Sequence, residues 1–203
     1  MFSRTENFSQ YIKSYPVVST IIALNVIIHL LTLVPVLGPV LFNYGAGVNY
    51  LISDGQWWRF ITPMFLHAGL MHLLFNMFSL YLFGPELEKL AGKVRFLTIY
   101  FMAGLFGTVA TFLLQDANYV HVGASGAIYG LLGAFGALVY YARKTLPQLR
   151  QIILPIIVIS IVMTFLTPNI NATAHLSGLA VGFLIGLSYF HPQRIISWKK
   201  RKR

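Results

Sequence analysis

A serine between glycines, Gly123-Ala124-Ser125-Gly126, opens one apolar stretch of this chain, and Ala174-His175-Leu176-Ser177-Gly178 opens another. Lipid makes an ionisable residue expensive, so a histidine in such a setting is a candidate functional group. A hydroxyl beside a neutral imidazole is a nucleophile with its general base. His72 and Asn76 are spaced i, i+4 and share a helix face, where both can donate hydrogen bonds. Donors aimed at a developing oxyanion supply the third part of an acyl-transfer site. Gly123 and Gly126 let the backbone approach a substrate and free its N–H groups. Tyr129, four residues after Ser125, shares its face and can either wall the imidazole or serve as an ordinary core aromatic. A lone serine in an apolar helix is ordinarily a packing residue or a bond to its own backbone. The informative feature is that separate regions of the chain bring polar groups to one depth.

Other chemistries fit less well. The chain has no cysteine, which removes thiol nucleophiles and thiolate-held metals. His67 and His72 are five apart, off a common helical face, and no His-Glu-x-x-His occurs. We expect neither metal nor cofactor. A net charge of +10 could suggest nucleic acid. The basic residues are scattered between apolar segments, however, and form no recognition module, so no nucleic-acid partner is expected.

The elements that must position these groups are membrane helices. The chain is 57% hydrophobic and 10% charged, with mean hydropathy +0.70; soluble domains carry about 25% charged residues. Crossing a bilayer takes about 20 apolar residues. Six segments read as spans, at about 17–37, 69–83, 94–114, 122–141, 151–167 and 172–190, the second short unless it extends into Pro85-Glu86 and the fifth with Pro155 as a candidate kink. We therefore expect an all-α membrane protein, a six-transmembrane-helix bundle. A short segment, 1–16, would precede the bundle at 17–190, and a basic tail, 191–203, would follow it. Segment 1–16 is too polar for a signal peptide. With the N-terminus inside, every Lys and Arg except Arg59 falls on the inner side. The positive-inside rule then makes both termini cytoplasmic, with the tail at 198–203 an interfacial anchor. The second, fourth and sixth spans run inward, which puts His72, Asn76, Ser125 and His175 in the outer half of the membrane. The link at 38–68 is amphipathic and rich in tryptophan, as suits the outer interface. Gly126-x-x-x-Gly130 and Gly178-x-x-x-Gly182-x-x-x-Gly186 are stripes along which helix backbones can touch.

Taken together, Trp58-Arg59, His72-x-x-x-Asn76, Gly84-x-x-x-Glu88-x-x-x-Gly92, Gly123-Ala-Ser125-Gly126-x-x-Tyr129 and Ala174-His175-x-x-Gly178-x-x-x-Gly182 resemble the rhomboid family of intramembrane serine proteases. The motifs cover the chain from first span to last, in the order of the compact prokaryotic type without an added soluble domain. The resemblance implies a Ser–His dyad, with Ser125 as nucleophile and His175 as base. It implies an oxyanion hole from His72, Asn76 and the Ser125 N–H, with Gly123 in the same turn. It implies transmembrane protein substrates, a multi-pass place in the cell membrane, and a site opening to the extracytoplasmic side. A non-enzymatic rhomboid-like protein that binds client helices is the alternative; the intact Ser125 and His175 argue against it. A small transporter would predict inverted repeats, and the two halves show no clear internal match.

Overall fold

The computed structural model describes residues 4–143 and 147–193, which are mostly helical. Lys144, Arg194 and the tail at 198–203 lie outside the described residues.

Helix α1 (Phe8–Ser14) starts on a capping box in which Asn7 and Gln10 satisfy each other's backbone N–H, each at 3.0 Å. Tyr15 breaks the helix, and α2 (Pro16–Thr32) leaves at a bend of 112°. Proline suits the first turn because that turn's donors have no intrahelical partner. The next two donors, Val17 N–H and Val18 N–H, meet the Glu88 carboxylate at 3.2 and 2.9 Å. Helix α2 ends at Thr32 instead of reaching residue 37, because Pro35 disfavours helical geometry just before it. A separate helix α3 (Leu37–Gly45) follows.

The link expected at the interface is irregular but tightly tied. It holds strand β1 (Gly47–Val48), helix α4 (Asn49–Ser53) and 3-10 turns at Trp57–Phe60 and Thr62–Phe65. Arg59, only 2% exposed, donates to Ala46 O at 2.6 Å, Asn43 O at 2.7 Å and Gln56 Oε1 at 2.8 Å. Its planar fork reaches three separate acceptors from three different nitrogens, where a lysine would have all its donors on one. Trp58 Nε1 donates to Tyr44 O at 2.9 Å while the residue stays about half exposed.

Helix α5 (Leu70–Ala91) is longer than its apolar stretch at 69–83 suggests. It runs through Pro85 and Glu88 to Gly92, whose φ of +86° favours glycine and ends the helix. The spaced set Gly84, Glu88, Gly92 thus has a physical meaning at each position. Gly84 admits Val18, Glu88 caps α2, and Gly92 turns the chain into α6 (Lys93–Leu114). Strand β2 (Val120–His121) pairs antiparallel with β1, so α7 (Ser125–Ala142) starts after residue 122. Helix α8 (Pro147–Leu166) starts before residue 151 and continues through Pro155, and α9 (Ala172–Tyr189) completes the described bundle.

The long helices alternate in direction. Glu88, late in α5, meets the start of α2. Gln115, just after α6, donates to Thr173 at the start of α9 at 2.7 Å, and Thr164, late in α8, meets His175. Helices α5, α7 and α9 therefore begin at the end where α2, α6 and α8 finish. Helix α7 is the buried axis, with twelve buried residues, whereas α8 buries only Leu149, Ile153 and Thr164. Among the described residues, α6, α7, α8 and α9 are long and apolar enough to cross a membrane, and α1 with α2 makes a bent fifth. Helix α5, at 22 residues, has the length (about 33 Å at the helical rise) but carries Glu86, Glu88 and Lys89.

Glu88→Ala should strand the Val17 and Val18 donors. An unsatisfied buried donor costs about 1–3 kcal/mol, so Tm in detergent should fall by several degrees. An unchanged Tm would show that other groups replace the carboxylate.

Candidate active site

Ser125 is the first residue of α7. Helix geometry leaves the opening N–H groups without intrahelical acceptors, and the helix dipole makes that end attractive to negative charge. The turn before it is fixed by Gly123, whose φ of +126° disfavours a side chain. The Gly123 N–H donates to Pro63 O at 2.8 Å, which anchors the turn to the 3-10 segment below. That donor is thus committed within the protein, and what Gly123 gives the turn is its shape. A Cβ at Gly123 would come within 2.7 Å of His72 Nε2 and 3.7 Å of Ser125 Oγ. The imidazole and the hydroxyl therefore border one spot, and glycine keeps it open.

His72 is oriented by its own turn. The Ala68 N–H points at Nδ1 at 3.4 Å, a long bond that makes Nδ1 the acceptor. A neutral imidazole then carries its hydrogen on Nε2, the nitrogen that borders Gly123. Asn76, 6% exposed, donates from Nδ2 to His72 O at 2.8 Å. One of its two amide hydrogens is spent on its own helix. His67, 1% exposed, meets His72 edge to face, ring centroids 5.0 Å apart. Among the described residues, no group of three or more His, Cys, Asp or Glu is placed to hold a metal ion.

His175 lies in the first turn of α9 and is 6% exposed. Its helix start is pinned from several sides. Asn171 caps it by accepting from Ala174 N–H at 2.9 Å and donates to Thr111 Oγ1 on α6, also at 2.9 Å. Tyr129 stacks on the imidazole, centroids 4.0 Å apart and planes 19° from parallel. Thr164 Oγ1 on α8 sits 3.0 Å from His175 Nδ1. We did not single out Thr164 from the sequence. Its signal is faint: Ser160 and Thr164, spaced i, i+4, form a polar pair in the Ile- and Val-rich half of α8.

The seam between α7 and α9 brings the two halves of the site together. Cβ atoms at Gly178 and Gly182 would collide with the backbones of Gly126 and Gly130, and one at Gly133 with Leu179 and Phe183. Ala103 of α6 fills the remaining space at Gly130. Backbone thus lies on backbone from the first turns onward. Ser125 precedes Gly126, and His175 follows Ala174, whose carbonyl lies against Gly126. The structure brings Ser125, His175, Tyr129, His72 and Gly123 to one end of the bundle, with Asn76 one turn below His72. Trp58 and Arg59 tie the neighbouring link, and Gly84, Glu88 and Gly92 act at the far end.

A family model described as the Rhomboid domain matches residues 54–192. YdcA of Bacillus subtilis (strain 168) is 43% identical over 187 residues, which cover 91% of this chain and 94% of that protein. The rhomboid protease GluP of the same organism is 42% identical over 144 residues, 70% of this chain but 28% of GluP. RHOMBOID-like protein 5 of Arabidopsis thaliana is 36% identical over 154 residues, 73% of this chain and 49% of that protein.

The seam gives a contrasting pair of substitutions. A Cβ at Gly136 meets only ordinary contacts, 3.4 Å from Ile157 and 3.5 Å from Phe183, whereas one at Gly182 falls within Gly130. Gly136→Ala should leave Tm and the reactivity of Ser125 toward a fluorophosphonate near those of the parent. Gly182→Val should lower both, since displacing a reacting group by about 1 Å can cost roughly 100-fold. Equal behaviour of the two variants would show that the seam does not set the site.

Proposed function

The chain belongs to the rhomboid family of intramembrane serine proteases, and from that premise we propose that it cuts transmembrane or juxtamembrane segments of other membrane proteins through Ser125 and His175. The observation that carries the residue assignment is the convergence of three helix N-termini. Helices α5, α7 and α9 deliver His72, Ser125 and His175 to one end of the bundle, where glycines let α7 and α9 touch.

Ser125 Oγ attacks the scissile carbonyl carbon and gives its proton to His175 Nε2. The carbonyl π electrons move to oxygen. That oxyanion draws on the Ser125 N–H, the His72 Nε2–H and the free Asn76 amide hydrogen, in the field of the α7 N-terminus. Collapse of the tetrahedral intermediate breaks the C–N bond, and His175 returns the proton to the leaving amine. Water then attacks the acyl-enzyme by the same route, losing its proton to His175, and the carboxyl product departs as Ser125 is reprotonated. No metal or cofactor takes part. A regular substrate helix hides its carbonyls in its own bonds, so helix-breaking residues should mark good substrates.

All six long helices cross the cell membrane in this reading, with both termini cytoplasmic and the site toward the extracytoplasmic face. The charge distribution supports it. Lys89, Lys93, Arg95, Arg143 and Arg150 all lie at helix ends away from Ser125.

Ser125→Ala and His175→Ala should each abolish cleavage of a tagged transmembrane reporter, and the double variant should be no worse than either, because such residues act as a unit. Additive partial losses would refute the dyad. His72→Ala and Asn76→Ala should lower kcat by up to about 10²–10³-fold, the usual cost of one oxyanion donor; unchanged kcat in both would remove them from the hole. EDTA should leave activity intact. Loss with EDTA and recovery with zinc would overturn the serine mechanism.

A further inference from the structure

We propose that Thr164, on α8, is a positioning residue that fixes which nitrogen of His175 carries the proton. This rests on the reading of Ser125 and His175 as nucleophile and base. A neutral imidazole holds one hydrogen, and the nitrogen facing Ser125 must lack it to act as a base. The hydrogen must therefore stay on Nδ1, and some acceptor must keep it there.

Thr164 Oγ1 is that acceptor. It sits 3.0 Å from His175 Nδ1, 2.9 Å from Ser160 O and 2.6 Å from the Tyr129 hydroxyl. The Tyr129 hydroxyl also lies 2.6 Å from Ser160 O. A carbonyl only accepts, so the Thr164 proton has a natural destination in Ser160 O, one helical turn back. Thr164 Oγ1 then turns its lone pairs to His175 Nδ1–H. In this arrangement Nδ1–H, the threonine O–H and the tyrosine O–H each donate within the cluster. If Thr164 donated to Nδ1 instead, the imidazole hydrogen would leave the cluster and one bond would be lost. Thr164 is 3% exposed, which limits competition from water for Nδ1.

The two holds on His175 are complementary. The Tyr129 stack, at 4.0 Å and 19°, fixes the plane of the imidazole. A half-turn about the Cβ–Cγ bond would restore that plane with Nδ1 and Cδ2 exchanged. Thr164 removes that freedom, from a different helix. In the reaction a proton passes from Ser125 Oγ to Nε2 as the O–C bond forms. The imidazolium is then a stronger donor through Nδ1–H, and Thr164 accepts it while its own hydrogen remains on Ser160 O. Thr164 neither gains nor loses a proton through the cycle. A buried carboxylate would hold the imidazolium more strongly, but it would be a standing charge within the apolar bundle. A hydroxyl fixes the tautomer without one.

The test compares parent, Thr164→Val, Thr164→Ser and Ser125→Ala as full chains in liposomes. Valine is nearly isosteric and removes the hydroxyl; serine keeps it. Cleavage of a transmembrane reporter gives kcat and KM, and fluorophosphonate labelling of Ser125 gives nucleophile reactivity per folded protein. In Thr164→Val, kcat and labelling rate should fall together by about 10- to 100-fold, the scale of one or two hydrogen bonds. KM should stay put, and Thr164→Ser should recover most of the rate. Parental kcat in a folded Thr164→Val protein would overturn the proposal, as would a Thr164→Ser variant equally impaired, since the methyl group would then be what matters. If Thr164→Val fails to fold, ¹⁵N spectra of the parent decide: hydrogen on His175 Nδ1 supports the proposal and hydrogen on Nε2 refutes it. A folded parent that neither cleaves nor labels would sink the dyad and this inference together. An active parent with a dead Ser125→Ala and an unimpaired Thr164→Val would sink this inference alone.

Discussion

Everything at the site depends on how closely α7 approaches α9. Inside a membrane there is little hydrophobic drive between helices, because lipid tails are as apolar as leucine; close packing has to supply the attraction. The glycines at 126, 130, 133, 178 and 182 remove the side chains that would hold these two backbones apart. Ser125 and His175 begin the two helices at the same end, so the seam that stabilises the bundle also brings the proposed nucleophile and base together. Helix α6 completes the arrangement. Gly107 lies against Ala174, and Thr111 holds the α9 cap.

Several buried polar groups of the bundle are tied to backbone. Glu88 gives both carboxylate oxygens to the start of α2. Arg59 commits its guanidinium to the turns around Ala46 and Asn43. Asn49 donates to Thr111, Gln115 and Asp116 carbonyls and so closes the end of α6. These are ties, each meeting backbone groups that would be costly if left bare in a dry setting. At the site the pattern changes. His72 accepts at Nδ1 and keeps Nε2 for the space beside Gly123, and Asn76 spends one amide hydrogen of two. His175 is held at Nδ1 and by its face, which leaves Nε2.

What the sequence made legible was short-range. The glycine stripes, the Ser125–Tyr129 spacing and the pair His72 and Asn76 each lie on one helix, where i, i+4 neighbours follow from geometry alone. That spacing puts Tyr129 on the face of Ser125 but leaves open whether it walls the imidazole or is an ordinary core aromatic; the stack on His175 decides for the first. Helix α5 was harder to bound. Glu86, Glu88 and Lys89 dilute its apolar signal, and the pairing of Glu86 with Arg4 and of Glu88 with α2 comes from residues far away in the chain. The irregular link at 38–68 showed its aromatic face but not its strand, which exists only by pairing with Val120–His121. Gly123 was read for its freedom from a side chain; that its N–H would be held by Pro63 depended on a turn some sixty residues earlier. Thr164 meets His175 across the α8–α9 turn, a relation that no helical period encodes.

The charge economy of the site follows from its surroundings. The chain has five acidic residues, and none belongs to the site. Glu6 accepts from Tyr15, Glu86 pairs with Arg4 and Glu88 caps α2, all at the opposite end of the bundle, while Asp54 and Asp116 lie in turns. Ser125, Asn76, Tyr129 and Thr164 carry no charge, and a base waiting for a proton carries none either. A low-dielectric setting penalises a standing charge far more than a transient pair of opposite charges close together. In the proposed mechanism oxyanion and imidazolium arise in the same step, so each is the other's nearest counter-charge, and fixed dipoles from the α7 N-terminus and the Ser160 carbonyl add to both. A site built this way asks the apolar bundle to accommodate charge only while the reaction is under way.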